Sequence, residues 1–211
     1  MDARVDARVE WLEIAGDAAA WRSIGLVVAD DGLIPLIGTG LRIVDAGEHS
    51  NGIVGWALSG VSDDLDQATI DGLRTTTVAS PGPVYADHPL GASGLDHVVV
   101  MTADLERTSA AIGAATSCEL KRIREVDTMR QGFHRIGRGG LIVELVERPD
   151  VPAGPASFWG LVINVDDLDG ACDRIGRDLI SEPKDAVQPG RRIATVRSEV
   201  GLGLPVALMT P

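Results

Sequence analysis

The 211-residue sequence predicts an α+β fold assembled from tandem βαβββ units. Three observations carry that expectation. Residues 95–106 end in Asp104-Leu105-Glu106, residues 158–169 end in Asp167-Leu168-Asp169, and the two segments lie 63 residues apart. The same offset lays Leu141-Ile142-Val143-Glu144-Leu145 on Leu204-Pro205-Val206-Ala207-Leu208. One offset that fits both ends marks a repeated supersecondary unit. Apolar runs rich in Val, Ile and Leu read as buried strands, and each is followed by a segment of helical spacing.

Fainter copies precede these two. Residues 56–66 match 159–169, and Ile37-Gly38-Thr39 with Ile43-Val44-Asp45 match Ile136-Gly137-Arg138 with Ile142-Val143-Glu144. The chain divides into units at about 8–47, 53–86, 95–148 and 157–211. The first two form a truncated, degenerate half over 1–90, and the last two form a domain over 95–211. Residues 79–94 hold three Pro and three Gly and are expected to link the halves.

Within a unit the order is the same. An Asp opens each helix, where it caps the first turn and suits the dipole. Leu105, Thr108 and Ile112, then Leu168, Cys172 and Ile175, form the apolar stripes. Gly113 and Gly176 are expected to end these helices, as Gly25 ends the helix opened by Asp17. Short β-prone runs follow at 118–123, 133–136 and 141–146, and in the last unit at 192–196 and 204–209. Residues 127–132 and 183–190 are expected as loops that shape a cleft. Gly38-Thr39-Gly40 and Gly137-Arg138-Gly139-Gly140 read as hairpin turns, because no P-loop Lys accompanies them.

Composition excludes several classes. Lys plus Arg is 19 and Asp plus Glu is 31, a net charge of −12. Nucleic-acid binding calls for a basic face, which this balance opposes. An acidic surface repels anionic membranes and attracts cationic ligands. No run approaches the roughly 20 apolar residues of a membrane helix. The first ten residues are charged and lack a signal-peptide core. Two cysteines, Cys118 and Cys172, fit reduced thiols and a cytoplasmic location. Gly-x-Ser-x-Gly and zinc-type Cys clusters are missing, which removes serine hydrolase and structural zinc.

The tandem units, with Leu95-Asp96-His97 opening a first strand and Ile142-Val143-Glu144 in a last one, resemble the vicinal oxygen chelate superfamily of glyoxalases, bleomycin-resistance proteins and extradiol dioxygenases. The resemblance covers 95–211 well and 8–90 weakly. It implies paired units curled into glyoxalase-like open barrels around a cleft. It also implies one divalent metal (Fe, Mn, Ni, Co or Zn) chelating a substrate with adjacent oxygens, in lyase, isomerase or dioxygenase chemistry.

Carried onto this chain, the first-strand and last-strand ligand positions are His97 and Glu144. Their counterparts in the fourth unit are Gly160 and Ala207, which cannot ligate. In the first unit they are approximately Glu10 and Asp45, and the second offers Ala57 and no clear last strand. His134 would complete a two-His-one-carboxylate set if it faced the cleft.

Two functions therefore stay open. One is a metal-dependent enzyme in which His97 and Glu144 are also catalytic. The other is a metal-free protein that sequesters a small molecule such as a drug or antibiotic. Trp159, Arg197 and His134 are candidate substrate contacts. For Trp56 and Trp159, at matching repeat positions, equivalent core packing is the competing reading. Alternation puts Arg191 and Arg197 on one strand face and Arg192 on the other, to meet an anionic ligand or nearby acids. His49 and His88 read as solvated loop residues. The expected partner is a small molecule, with neither nucleic acid nor membrane, and a homodimer would serve if units pair between chains.

Overall fold

The computed structural model describes residues 6–45, 51–80 and 85–211; His49 lies outside them. The first unit comprises β1 (Arg8–Ala15), α1 (Ala18–Ser23), β2 (Leu33–Pro35) and β3 (Gly40–Val44). The second comprises β4 (Gly52–Ser59), a 3-10 turn (Asp63–Leu65), β5 (Ala68–Ile70) and β6 (Leu73–Thr77). The third has the full pattern: β7 (Ala92–Thr102), α2 (Leu105–Thr116), β8 (Leu120–Val126), β9 (Met129–Arg135) and β10 (Ile142–Glu147). So has the fourth: β11 (Ser157–Val165), α3 (Leu168–Ile175), β12 (Lys184–Asp185), β13 (Arg192–Thr195) and β14 (Val206–Met209).

The strands form two mixed sheets. The N-terminal sheet runs β2-β3-β1-β4-β6-β5, and the C-terminal sheet runs β12-β13-β14-β11-β7-β10-β9-β8. In each, two units meet through antiparallel first strands, β1 with β4 and β7 with β11. Units therefore pair within one chain. The 63-residue repeat holds in space: Val143 sits opposite Val98 in the parallel pair β10–β7, and their repeats Val206 and Leu161 are opposite in β14–β11.

Sequence explains most of these elements. Asp17, Asp104 and Asp167 cap the three helices, their carboxylates accepting from the backbone N–H of Ala19, Arg107 and Gly170 at 2.8, 2.9 and 3.0 Å. Leu105, Thr108 and Ile112 are buried along α2, as are Leu168, Cys172 and Ile175 along α3. Val98 and Val100 are fully buried on the face of β7 turned toward the core, and one buried cluster runs through both sheets. Trp56 of β4 meets Phe158 of β11 edge to face at 5.4 Å and donates to Thr75 Oγ1 at 2.7 Å. That contact packs one sheet on the other.

Five expectations need correction. The first unit has two strands after its helix, and the second replaces its helix with a turn capped by Ser62, so neither is a complete βαβββ unit. The second unit does have a last strand, β6, parallel to β4. Helix α2 passes Gly113 and stops at Ser117, whose φ of 58° is left-handed and whose N–H returns to Gly113 O. Ala114 and Ala115 favour helix strongly enough to carry it on. Residues 129–132, expected in a loop, belong to β9, because Asp127 at φ 52° makes the hairpin turn tight. His88 is buried: Val27 N–H donates to its Nδ1 at 3.0 Å and its Nε2 meets Pro35 O at 2.8 Å. The described part of the linker is thus stitched to the N-terminal half.

Candidate functional site

The C-terminal sheet curls so that both of its edge strands, β8 and β12, line one cavity of about 830 Å³. His97, Gln131, Phe133, Ile142, Glu144 and Met209 face into it from four strands. Cross-strand register explains the layout, since directly opposed residues share a face. One row across the sheet runs Arg122, Phe133, Glu144, Val99, Gly160. The next runs Arg135, Ile142, His97, Val162, Ala207.

His97 and Glu144 meet at the centre. His97 Nε2 lies 3.3 Å from Glu144 Oε2, and both side chains are largely buried. Gln131, in the neighbouring strand, donates through Nε2 to Glu144 Oε1 at 2.5 Å. Its own Oε1 is buried and has no hydrogen-bond partner among the described residues. On the far side of the imidazole, Nδ1 meets Asp96 Oδ2 at 2.7 Å. Asp96 also accepts from Arg191 Nη1 at 2.7 Å, and Arg191 donates to Asn164 Oδ1 and to Thr210 O at the same distance. Burial works to raise the Asp96 carboxyl, but the bonds from His97 and Arg191 outweigh it and hold it below the usual carboxylate range. An ionised Asp96 accepts only, so Nδ1 carries a proton and the ring is fixed in orientation.

The other sequence candidates lie elsewhere. The His134 side chain is buried on the opposite face of β9, between Ser109 Oγ at 2.9 Å and Cys118 O at 3.1 Å. Period-two alternation from Glu144's neighbour Phe133 puts Gln131 in the cleft and His134 under α2. Burial pushes the His134 pKa down, partly offset by the bond to Cys118 O, and the Lys121 charge adds to the lowering. Trp159 is 53% exposed, whereas Trp56 is fully buried. The β11 irregularity between Phe158 and Gly160 breaks their equivalence, and Phe158 takes the inward place. Arg197 is exposed beyond β13, where its backbone N–H donates to Leu179 O and its carbonyl accepts from Val200 N–H. In the first unit Glu10 accepts from Ser59 Oγ at 2.5 Å and Asp45 is exposed.

Gln131, Asp96 and Asn164 were missed as parts of the site, whereas Arg191, expected to meet an anionic ligand or nearby acids, meets Asp96. Counting back from Phe133 in steps of two would have found Gln131. Nothing local signals Asn164, which reaches the site through the pairing of distant strands.

Among the described residues no three His, Cys, Asp or Glu side chains gather as a metal-holding group. The donors that could hold a cation are His97 Nε2, the Glu144 carboxylate and the unpaired Gln131 Oε1. They fit a divalent ion on two counts: the amide oxygen is buried without a partner, and the imidazole is oriented by a carboxylate.

No family model matches the chain, and no curated protein matches it. Solved structures do. A triple mutant of 4-hydroxymandelate synthase from Streptomyces coelicolor aligns over 97% of this chain and 92% of its own, with a TM-score of 0.65 and 16% identity. Methylmalonyl-CoA epimerase from Mycobacterium tuberculosis covers 57% of this chain and 89% of its own, at a TM-score of 0.48 and 19% identity. A Streptomyces coelicolor methylmalonyl-CoA epimerase in complex with 2-nitronate-propionyl-CoA covers 56% and 94%, at 0.46 and 18%. The near-complete alignment with the synthase, together with the paired repeats, shows that the chain has the fold of the vicinal oxygen chelate superfamily.

Proposed function

We propose that the C-terminal cleft binds a small molecule, and that His97, Glu144 and Gln131 hold a divalent metal against it. The observation that carries this reading is the 3.3 Å approach of His97 Nε2 to Glu144 Oε2, with Nδ1–H already committed to Asp96. Nε2 then faces a carboxylate oxygen across a gap that a proton or a metal cation can bridge. Two acceptors at that distance repel unless positive charge lies between them. A cation ligated by both supplies it, and the orphaned Gln131 oxygen adds a third donor.

When bound, such an ion acts as a Lewis acid on a substrate oxygen. The chain's own groups do the rest. Asp96, anchored by Arg191, keeps Nε2 directed at the cleft. Phe133, Ile142 and Met209 provide apolar wall, and Glu144 is the one carboxylate at the centre. Lyase, isomerase and dioxygenase chemistry on adjacent oxygens all suit this arrangement.

A second reading has its own support. Gly160 and Ala207 leave the fourth-unit side without ligands, which suits metal-free sequestration of a small molecule. Elemental analysis of protein purified without chelator or affinity metal separates the two. The first reading expects about one equivalent of a transition metal, lost in the His97→Ala/Glu144→Ala variant. No uptake after adding Fe, Mn, Ni and Zn would sink it and favour the second.

A further inference from the structure

We infer that the ligand of this cleft is a small organic anion with an apolar body, its charged end held by Arg122 and Arg124 on β8. The inference rests on the reading of the cleft as a small-molecule site. It reverses the expectation, drawn from overall charge, of a cationic ligand.

The charge distribution is the first argument. In a chain of net charge −12, the cavity is lined by Lys121, Arg122, Arg124, Arg135 and Lys184, against Glu144 and Asp185. Both lysines of the sequence are among them. Elsewhere many arginines are neutralised: Arg42, Arg74, Arg107, Arg130, Arg148, Arg177, Arg191 and Arg192 each lie within 4 Å of a carboxylate. Among the described residues no ion pair engages Lys121, Arg122, Arg124 or Lys184. A cleft lined by one sign of charge, with low-dielectric walls, concentrates the opposite ion.

Placement is the second. Arg124 sits opposite Gln131 and Arg122 opposite Phe133, so both share the cleft face. Arg122 is two strands from Glu144 in the same row, about 10 Å at the usual strand spacing. Phe133 lies between them. An anion gripped at β8 therefore extends its apolar part over Phe133 and brings its far end to His97 and Glu144. Lys184 closes the opposite side from the β12–β13 hairpin. Guanidinium forks suit carboxylate and phosphate equally.

Titration calorimetry of the whole chain, in chelator and again with added Mn(II), tests this. The probes are 3-phenylpropanoate, phenyl phosphate, 3-phenylpropanamide and 3-phenylpropylamine. The carboxylate or the phosphate binds, whichever source the site serves, and the amide and amine bind about tenfold more weakly or not at all. The Arg122→Gln/Arg124→Gln variant loses that preference, as does Lys184→Glu on the facing hairpin, with melting temperatures as the folding control. Equal or tighter binding of the amine or amide, an anion affinity unchanged in both variants, or no binding by any probe overturns the inference. Metal uptake without anion preference defeats this inference and leaves the proposed metal site standing; anion preference without metal uptake does the reverse.

Discussion

His97 Nε2 approaches Glu144 Oε2 to 3.3 Å because β10 runs parallel to β7 with Glu144 two residues along, on the same face, from Ile142, the residue directly opposite His97. The contact is a conflict unless a cation or a proton resolves it. Glu144→Gln should relieve the conflict, since its amide N–H can donate to Nε2. In chelated buffer the variant is expected to be more stable than wild type by about 1 kcal/mol in urea unfolding. Its metal uptake should be lost. Destabilisation instead would show that a proton on His97 already satisfies the pair.

Asp96 ties His97 to Arg191, and both of its partners are largely buried. Asp96→Asn leaves the Arg191 charge with neutral acceptors only, a loss of about 2–3 kcal/mol at neutral pH. The pH dependence has a definite sign. Asp96 titrates below its unfolded value of about 3.9, so its stabilisation is complete above that pH and disappears as pH falls through the lower folded value. Stability curves of variant and wild type should converge in that acid range and separate above it.

His134 provides an independent pH test. Cys118 O can only accept, so Nδ1 donates to it and Nε2 accepts from Ser109 Oγ. Burial lowers the pKa, so the unfolded chain binds a proton first, near pH 6.5. Stability is full above that value and falls as pH drops toward the folded pKa. His134→Gln keeps one donor and one acceptor and does not titrate. Its unfolding free energy should vary less between pH 7 and 5 than that of wild type.

The repeat and the helix caps were legible because each is a local pattern. Asp104 and Asp167 announce their helices wherever the chain goes next, and one offset aligned both ends of a unit. His97 and Glu144 were singled out by the resemblance to the superfamily, at its first-strand and last-strand ligand positions. What failed was long-range. Gln131 and His134 differ by three positions on one strand, and only the register of β9 against β10 decides which enters the cleft. The basic lining was hidden by the overall charge, since Lys184 and Arg124 belong to opposite edges of a curled sheet. Trp159 looked like Trp56 until a single irregularity in β11 turned it outward.

The two empty ligand positions are not equivalent, and that leads to a last prediction. Ala207 shares a row with His97 through Val162 and is partly exposed, so its face of β14 is open to the cleft. Gly160 has no such room: a Cβ there would meet Pro205 O at 2.7 Å and Pro205 Cβ at 3.1 Å. Backbone cannot step aside as a flexible side chain would. Gly160→His, and even Gly160→Ala, should therefore cost about 1–3 kcal/mol in chemical unfolding, the usual penalty of overpacking. Ala207→Glu should fold with near wild-type stability. If His97 and Glu144 hold a metal, the added carboxylate tightens its binding by about tenfold, the scale of one charge-assisted contact. Calorimetric metal titration of Ala207→Glu beside wild type reads that gain directly, and an unchanged affinity would show that Ala207 does not face the ion.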